Sequence, residues 1–600
     1  MIARMLKAYV VARRADRDRL LGTLRNLGVV HLAPVDPSKA VPDAETAGAI
    51  ERFQRAIQIL SNVEARGDTL SLSPAEAVDD ALRIQRESAE RTGRLTGLYH
   101  QLMLLEPWGD VRMEDFAALR DAGASIRFYA VPAKSLGQVR AEFVHAIRPW
   151  PGRRVLVGVA ARGEVQIPEG SEALPLPPRD RPSIRAEAAE IDAALKRDAE
   201  KLARLTHAAP SIVAELAHLK EKAAWTVATK SALAEEHLYG LQGWVPEAKS
   251  AALASGLAAA GLDAAVETYA PAPGDEPPTL IHYTRWTWWA KPMEGLFNIL
   301  GTVPGYGEFD VSAIFMIFLP VFSAILISDA GYGLMYLVLP IIFYRKMAAA
   351  GSAALAQLVI VIGACSLIWG AATCSFFGFD FSWIFGRTEA FVPVTMKKES
   401  MDSLMLISIT LGAVQLSLAH LWQARAAFPS LIVVAEIGWA AVLWGMYGLV
   451  KMFLLNDPPS FDLFLENTIY PWLIGGGSVL AILFAAPHRN PLKMIGLGLA
   501  NYPLSFIGTF GDSVSYVRLM AIGLAGSALA GAFNDMGSQV PIFATIPILM
   551  VGHALNVSLS IISLFAHGVR LNMLEFSNNL GMQWSGYAYE PFSRKRSQEN

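Results

Sequence analysis

Hydrophobic and polar positions are distributed differently in the two halves of this 600-residue chain. In the first half, apolar residues recur three and four positions apart over 46–65 and 77–106, which predicts amphipathic helices. Short apolar runs near Lys7 and Val29, and again over 125–168, predict strands. In the second half, polar positions become scarce. The pattern therefore predicts a mixed α+β half followed by a half of apolar helices.

A long helix is predicted to begin near Pro182, and its apolar positions from Ile184 to Leu219 keep nearly heptad spacing. Dense charged residues separate these positions, which favours a coiled-coil seam over an ordinary amphipathic helix in a globular core. We therefore expect two antiparallel arms that hold two lobes apart. The expected parts are a proximal lobe (1–45 and 225–280), the arms (46–106 and 182–224) and a distal lobe (107–181).

The second half contains eight separable apolar stretches, and a helix needs roughly 20 apolar residues to cross the hydrocarbon core. The second stretch is short, and the last two are long enough to predict strong tilt. The fold class predicted is an α-helical polytopic membrane protein with an N-terminal α+β domain at 1–290 and a transmembrane domain at 291–600. The stretches are about 311–328, 330–345, 354–377, 402–423, 429–455, 469–486, 503–534 and 541–577.

Charge supports this division, since residues 301–600 hold only 30 of the 105 Asp, Glu, Lys and Arg residues. If the N-terminal half is cytoplasmic, the inner loops are predominantly basic, whereas 378–401 and 456–468 carry mixed or acidic charge. This bias predicts eight spans with both termini in the cytoplasm, in a plasma or inner membrane. The basic residues concerned are Arg345, Lys346, Arg425, Arg489, Lys493, Arg594, Lys595 and Arg596.

Composition argues against several classes of function. A net charge of −3 is untypical of a protein that binds nucleic acid. The N-terminus has no uninterrupted apolar core, so we expect no secretory signal. Cys365 and Cys374 suggest neither a disulfide framework nor a metal site. No phosphate loop or nucleophile triad is visible, so we expect no cofactor and no catalytic centre for ATP hydrolysis in this chain.

The seventh stretch contains Arg518, within the segment FGDSVSYVRL, and no other charged residue lies between Arg518 and Asp535. An arginine cannot lose its proton in a protein. In lipid it costs at least about 2.5–3.5 kcal/mol. Because Arg518 is far from either end of the stretch, we expect it to face a polar cavity, a carboxylate or another subunit rather than to reach the membrane surface.

The eighth stretch carries a row of polar residues on one predicted helical face. Their offsets from the first member are 3, 7, 10, 14 and 17, which recur on one side of an α-helix. The row predicts the wall of a hydrated channel; the alternative is packing by interhelical hydrogen bonds. Its two histidines are too far apart to suggest zinc. The row comprises His553, Asn556, Ser560, Ser563, His567 and Arg570.

Two further acidic residues lie in apolar stretches. Glu436 allows two interpretations: it lines an aqueous path, or it pairs with one of the arginines. Asp329 lies in the turn SDAGYG, where we expect it to cap a helix rather than to carry ions.

These motifs together resemble one family over nearly the whole chain. The segments are GWVPE (Gly243 to Glu247), SDAGYG, FGDSVSYVRL and HGVRLNMLEF, followed by Gly586-Tyr587 and Glu590-Pro591-Phe592. They resemble the membrane stator subunit of rotary V/A-type ATPases, called subunit a or, in prokaryotes, subunit I. The length is similar to that of the prokaryotic forms.

Three positions depart from the family pattern. Gly511 stands where serine is common, and Met520 where tryptophan is. Ser560 stands where eukaryotic members carry a glutamate, which leaves the outer half-channel without its expected carboxylate. His553, His567, Asn556 or Glu436 are the candidates to replace it.

The resemblance implies a function as the stator of a rotary ATPase or ATP synthase. A rotor ring of c/K-type subunits, each with a carboxylate, would pass Arg518 and Arg570 and exchange H+ or Na+ through two half-channels. Asp512, Ser513 and Ser515 would line the inner half-channel, and His553, Asn556 and Ser560 the outer one. Peripheral stalk subunits of the E/G type would bind the lobes, and a central-stalk subunit would cap the ring.

Two other functions are compatible with parts of the sequence. A secondary ion transporter with a cytoplasmic regulatory domain often shows inverted repeats. No repeat is visible here, and both arginines lie in the last two stretches. A scaffold that only tethers partners accounts for the arms but not for two intramembrane arginines.

Overall fold

A computed structural model describes residues 1–68, 72–110, 112–123, 126–161, 165–349, 351–381, 401–488 and 490–593. Most of the predicted outer loop 378–401 lies outside the described residues, as do Arg489, Arg594, Lys595 and Arg596. The chain divides into two units, each described by itself. The polar unit comprises Tyr9–Gly243, Leu253–Glu267 and Phe592–Asn600, and the apolar unit comprises Met1–Ala8, Trp244–Ala252 and Thr268–Pro591.

The elements before the apolar helices alternate between helices and strands much as the hydrophobic pattern predicts. In chain order they are β1 (Met5–Arg13), α1 (Arg17–Leu27), β2 (His31–Ala33), α2 (Ala44–Ser61), α3 (Pro74–Leu104), α4 (Met113–Asp121), β3 (Ile126–Pro132), β4 (Phe143–Trp150), β5 (Arg154–Ala160), β6 (Glu172–Leu174), α5 (Arg181–Leu205), α6 (Ala209–Lys230), β7 (Leu233–Ala234), β8 (Leu238–Pro246), α7 (Ser250–Ala259) and β9 (Ala265–Tyr269).

One sheet has the strand order β2-β8-β1-β9, with β7 added to β8. The GWVPE segment lies at the end of β8. A Cβ at Gly243 would lie 2.5 Å from the carbonyl oxygen of His31, so the close approach of β2 requires glycine at this position.

The helices of the two predicted arms pack side by side. Leu98 of α3 contacts Ile184 of α5, while α2, α3 and α6 share a second apolar cluster. Asp198 of α5 is nearly buried and accepts hydrogen bonds from Arg91 and Ser88 of α3. Apolar contacts and a shared polar group thus join the arms, whereas continuous coiled-coil geometry stays a prediction.

A second, antiparallel sheet lies between the arms in the sequence, with the strand order β4-β5-β3-β6. Val131, Val157 and Val159 are buried on one of its faces. On the other face, the ring of Phe128 meets Trp108 and Phe116 edge-on, at centroid distances of 4.9 and 5.6 Å. We call residues 107–181 the four-stranded lobe.

The apolar unit is built mainly of helices. In chain order its further elements are α8 (Met293–Leu300), α9 (Ser312–Ile327), α10 (Ala330–Ile342), α11 (Tyr344–Ala349), α12 (Ala353–Ala372), β10 (Ser375–Phe376), β11 (Phe379–Asp380), α13 (Met401–Ala427), α14 (Ile432–Leu455), α15 (Phe461–Asn467), α16 (Tyr470–Phe484), α17 (Pro491–Ser515), α18 (Val517–Ser538), α19 (Ile542–Ser563), π-helical segments at Leu564–Val569 and Leu571–Phe576, and α20 (Ser577–Asn579).

Among the described residues, five helical stretches are long and apolar enough to cross a membrane: α12, α13, α14, Pro491–Ser538 and Ile542–Asn579. The apolar helices α9, α10 and α16 are shorter than 18 residues. The 48-residue stretch formed by α17 and α18 is about 72 Å long, more than twice the roughly 30 Å of a hydrocarbon core. Eight passes with cytoplasmic termini stay a prediction.

Glycines allow neighbouring apolar helices to approach closely. A Cβ at Gly333 of α10 would lie 2.4 Å from the backbone nitrogen of Leu367, and one at Gly370 of α12 would lie 2.0 Å from that of Ala330. Helices in lipid gain association energy from such backbone contact rather than from hydrophobic burial. The pair α10–α12 is therefore fixed by the absence of side chains at these crossings.

Replacing Gly370 with leucine should destabilise the apolar unit, because overpacking of this kind costs about 1–3 kcal/mol. The purified chain in detergent should unfold at a lower temperature, as followed by circular dichroism. Gly476→Leu in α16 is the matched control, since no heavy atom lies within 4 Å of a Cβ built there. An equal loss of stability in both variants would contradict the packing argument.

Candidate functional site

Arg518 lies two residues after Tyr516, the single residue between α17 and α18, where the backbone stays right-handed helical. The Tyr516 ring is fully buried. A Cβ at Gly412 of α13 would lie 2.4 Å from this ring, so the ring packs directly on the α13 backbone. The Tyr516 hydroxyl donates a hydrogen bond of 2.7 Å to Gln415 Oε1. These contacts hold the junction of α17 and α18 against α13, and so position Arg518 two residues later.

The eighth stretch changes from α-helix to π-helix after Ser563. This change brings Arg570 Nε within 3.5 Å of Glu575 Oε1, five residues later. In a straight α-helix, side chains five positions apart point about 140° away from each other. The wider π-helical turn brings the side chains of Arg570 and Glu575 onto the same side of the helix. The single polar face predicted from α-helical spacing therefore extends from His553 only as far as Ser563, and the position of Arg570 does not follow from that spacing. The Arg570 side chain is 52% exposed.

Both arginines are connected to the same buried carboxylate. The side chain of Glu575 is only 5% exposed. Ser515 Oγ donates to Glu575 Oε1 over 2.8 Å, and Arg518 Nη2 donates to Ser515 Oγ over 2.7 Å. A single negative charge thus serves two positive ones, directly for Arg570 and through a hydroxyl for Arg518. Glu575 Oε2 has no hydrogen-bond partner among the described residues.

A chain of polar contacts leads away from Glu575 toward α13 and α14. Asn579 Nδ2 donates to Asp512 Oδ2 and to the Glu575 carbonyl, both over 2.7 Å. With its amide oriented to satisfy both of its atoms, Gln423 donates to the Asn579 carbonyl (3.2 Å) and to Glu436 Oε2 (3.3 Å). Side chains from α13, α14, α17 and α20 therefore form one network, which continues to Arg518 through Glu575 and Ser515.

Glu436 pairs with a histidine rather than with an arginine. His420 Nδ1 lies 2.8 Å from Glu436 Oε2, and both side chains are nearly buried. The His420 ring stacks on Trp439 at a centroid distance of 6.4 Å. The interpretation in which Glu436 pairs with an arginine is therefore wrong. The carboxylate that meets Arg570 is Glu575, which lies on the same helical stretch and needs only the π-helical turn to reach it.

A second polar cluster lies beyond Arg518 along α18. Tyr332 Oη lies 2.8 Å from His553 Nδ1 and accepts a hydrogen bond of 3.0 Å from Asn556 Nδ2. Asn556 also donates to the carbonyl of Gly526 over 2.9 Å. Ser560 donates to the Asn556 carbonyl and is nearly buried. Two residues predicted from the eighth stretch, His553 and Asn556, thus meet a tyrosine from α10, and Ser560 follows one turn later on α19.

Asp329 holds that tyrosine in place. Its carboxylate caps α10 by accepting from the backbone N–H groups of Gly331 and Tyr332. It also accepts from the Ser375 hydroxyl and from the backbone of Phe377 and Gly378. The prediction that Asp329 caps a helix is confirmed, and the same carboxylate also fixes the β10–β11 hairpin.

The remaining predicted residues lie between the two clusters or turn away from them. Ser563 is half-buried. His567 lies close enough to Arg518 and Arg570 for their charges to act on it, and its Nδ1 has no partner among the described residues. Ser513 donates its hydrogen bond to the Thr509 carbonyl of its own helix. Ser513 is therefore not part of the network around Glu575.

Several residues of the two clusters are not predicted from the sequence. Glu575 follows Arg570 by five residues within an apolar stretch, and an intramembrane carboxylate is a functional signal by itself. His420 is likewise a titratable residue in the fourth stretch. Tyr332, Gln423 and Asn579 carry no such signal, because tyrosines and amides are common where helices pack.

Similarity to known proteins extends over the whole chain. It is 28% identical to V-type ATP synthase subunit I 1 of Treponema pallidum (strain Nichols) over 643 aligned residues, which cover 99% of this chain and 100% of that protein. This chain is a homologue of V-type ATP synthase subunit I. V-type ATP synthase subunit I of Borreliella burgdorferi is 26% identical, with the same coverage of 99% and 100%.

Other comparisons of this subunit I homologue are weaker. No family model matches the sequence. A crystal structure of the cytoplasmic N-terminal domain of subunit I, homolog of subunit a, of V-ATPase is 16% identical and covers 44% of this chain and 100% of that domain. The TM-score of 0.19 is too low to support a statement about the fold.

The pairing of Arg570 with Glu575 can be measured by a double-mutant cycle of Arg570→Gln and Glu575→Gln. We expect a coupling free energy of at least about 0.5 kcal/mol, because the two side chains are in contact. The measurement is unfolding of the purified chain by SDS in mixed micelles. Arg570→Gln combined with Glu466→Gln, an exposed carboxylate on α15, should be additive. Additivity in both cycles would show that the π-helical pair does not form.

Proposed function

We propose that this chain is the stator subunit of a V/A-type rotary ATPase or ATP synthase, and that α17 to α20 carry the ion path. The observation that supports this most directly is the pair of arginines held to one buried carboxylate between two polar clusters. The full-length similarity to subunit I of ATP synthases supports the same function. The chain itself is non-catalytic, and ATP is hydrolysed or made by other subunits.

The face of α18 that follows Arg518 carries small side chains. On α18, exposed alanines recur at intervals of four, three and four residues after it, namely Ala521, Ala525, Ala528 and Ala532. Small side chains let another helix pass closely. A rotor-ring helix that carries a carboxylate can therefore move along this face and meet Arg518 at the start of it.

The attachment of Arg518 to a neutral hydroxyl suits this exchange. Ser515 holds the guanidinium, while the full charge of Glu575 lies one hydrogen bond further away. An arriving ring carboxylate can thus attract Arg518 without first displacing a direct ion pair. Charge attraction is strong in a medium of low dielectric constant, and it favours the ionised ring carboxylate, which then releases its H+ or Na+.

The two polar clusters supply the half-channels. The inner one comprises Asp512, Ser515, Glu575, Asn579, Gln423, Glu436 and His420. The outer one comprises His553, Asn556, Ser560 and Tyr332, with Ser563 and His567 between it and the arginines. Along the seventh stretch, Asp512 of the inner cluster is about 9 Å before Arg518. Gly526, whose carbonyl accepts from Asn556 of the outer cluster, is about 12 Å after it. Arg518 therefore separates the two clusters and blocks direct passage of cations between them.

The polar unit completes the stator. Its lobes and paired arms resist rotor torque by binding E/G-type peripheral stalk subunits, and the ring is capped by a central-stalk subunit. With the predicted topology, both termini and this unit lie on the cytoplasmic side of a plasma or inner membrane.

Arg518→Gln in the assembled complex should abolish ATP-driven ion transport, because the ring carboxylate loses its only cationic partner on α18. We expect less than about one tenth of the normal rate, equivalent to more than 1.4 kcal/mol of barrier. Transport is measured in proteoliposomes with a pH-sensitive dye and with a sodium tracer. Arg425→Gln, at the exposed end of α13, is the matched control. Normal transport by the Arg518 variant would exclude the proposed function.

Tyr332→Phe tests the outer half-channel. The hydroxyl that connects His553 and Asn556 is lost while the ring remains, so ion transport should fall several-fold with little change in unfolding temperature. The control is Tyr344→Phe on α11, whose hydroxyl accepts a hydrogen bond from Gln357, outside both clusters. If the two variants transport ions equally well, Tyr332 does not belong to the path.

A further inference from the structure

The hairpin of β10 and β11 has an unusual residue in its loop. Phe376 pairs with Phe379, so Phe377 and Gly378 form a two-residue loop between the strands. Both loop residues have positive φ angles, 48° for Phe377 and 76° for Gly378. Loops with two positive φ angles favour Asn-Gly or Gly-Gly, because a bulky side chain is strained in this conformation. The turn itself therefore does not account for a phenylalanine at position 377.

The Phe377 ring packs on the two aromatic members of the outer cluster. Its centroid lies 5.2 Å from that of Tyr332 and 5.4 Å from that of His553, and it meets both rings edge-on. Aromatic rings at these distances are in direct contact, so no layer of water separates Phe377 from the cluster. A Cβ at Gly331, in the first turn of α10, would lie 2.5 Å from the Phe377 ring. Glycine at this position therefore makes room for the ring.

The backbone of the loop is held by α10 and α18. The Asp329 carboxylate, which caps α10, accepts from the N–H groups of Phe377 (2.8 Å) and Gly378 (2.9 Å). Asn534 Nδ2 of α18 donates to the Phe377 carbonyl over 2.7 Å. A Cβ at Gly378 would lie 2.6 Å from the Cβ of Ala530, so the loop lies directly on α18. A strained residue persists where its surroundings determine its conformation in this way, and such residues are concentrated at functional sites.

The loop lies beyond the outer cluster along α18. Asn556 contacts α18 at Gly526, whereas the loop contacts it at Ala530 and Asn534, about 6 and 12 Å further toward its end. α19 runs antiparallel to α18, and the ring meets His553, which precedes Asn556 on α19. With the predicted topology, the ring therefore lies between the cluster and the outer side of the membrane.

We propose that Phe377 is the constriction of the outer half-channel. Its ring limits the size of the solutes that reach Tyr332, His553 and Asn556 from the outer side. Water and a bare monovalent cation pass when the ring moves slightly, whereas larger solutes are excluded. Apolar constrictions control passage through channels in this way. The ring acts through its volume and binds no ion itself, while Asp329 and Asn534 hold the loop that carries it.

This proposal rests on the proposed function, because a constriction has a role only where an outer half-channel exists. The two can nevertheless fail separately. Transport by the Arg518→Gln complex tests the ion path. The constriction is tested by the rate at which a thiol is modified without ATP, so its measurement requires no rotation.

The test places a thiol on the inner side of the ring and modifies it from the outer side of the membrane. The assembled complex carries Ser560→Cys, with Cys365 and Cys374 replaced by serine, in right-side-out membrane vesicles. The cationic, membrane-impermeant methanethiosulfonate reagent MTSET should modify this thiol at least about tenfold faster when Phe377→Ala is added. Phe377→Leu keeps most of the side-chain volume and should raise the rate less than about threefold.

Silver ion in a chloride-free buffer serves as the probe of bare-cation size. It should modify the Ser560→Cys thiol at rates within about threefold of each other whether phenylalanine or alanine occupies position 377. The matched control is a thiol introduced by Asp462→Cys, an exposed position on α15 in the predicted outer loop 456–468. MTSET should modify that thiol equally fast in every background.

Gly331→Ala tests the same constriction without changing Phe377. Its Cβ displaces the ring, so MTSET should modify the Ser560→Cys thiol at least about fivefold faster. In the Phe377→Ala background, Gly331→Ala should add no further increase, because the displaced ring is absent. A further increase of the same size would show that the glycine acts by another route and would overturn the role of the ring.

Two other outcomes separate the constriction from the half-channel. If silver ion reacts but MTSET is equally slow, or equally fast, with phenylalanine and alanine at position 377, the constriction is excluded and the outer half-channel stands. If silver ion does not modify the Ser560→Cys thiol in either background, no outer path reaches Ser560, and the constriction is overturned together with the outer half-channel.

Discussion

A charge in an apolar helix must find a partner, and the arrangement of the apolar unit follows from this constraint. Arg518 and Arg570 cannot be neutralised by loss of a proton. One buried carboxylate, Glu575, serves both, and Asp512 and Asn579 extend its contacts. Arg518 donates to a hydroxyl rather than directly to a carboxylate, so it remains able to attract a carboxylate that a partner brings.

The surrounding helices keep these groups in position by two devices. Glycines at the helix crossings remove the side chains that would separate α10 from α12, and Gly412 lets the Tyr516 ring lie against α13. The Asp329 carboxylate ties the start of α10 to the β10–β11 hairpin, and so fixes Tyr332 against His553 and Asn556. A rigid scaffold of this kind lets a few polar side chains keep their geometry while a partner moves past them.

The polar unit uses a different balance of forces. Its arms join through apolar clusters and through the shared carboxylate of Asp198, while the four-stranded lobe contains an apolar cavity beside its sheet.

The sequence by itself determined the division into a mixed half and an apolar half, the positions of most helices, the cap at Asp329 and the placement of Arg518 within an apolar helix. Hydrophobic periodicity and the cost of burying charge are local properties, so they can be read along the chain. The register of the eighth stretch could not be read in this way, because the α-helical period fails where the helix widens after Ser563. Only the tertiary structure showed that Arg570 meets Glu575, that Glu436 meets His420, and that Tyr332 joins residues more than 200 positions away. These pairings depend on which helices cross and at what depth, and that is decided by backbone contacts at glycines rather than by the polar residues themselves.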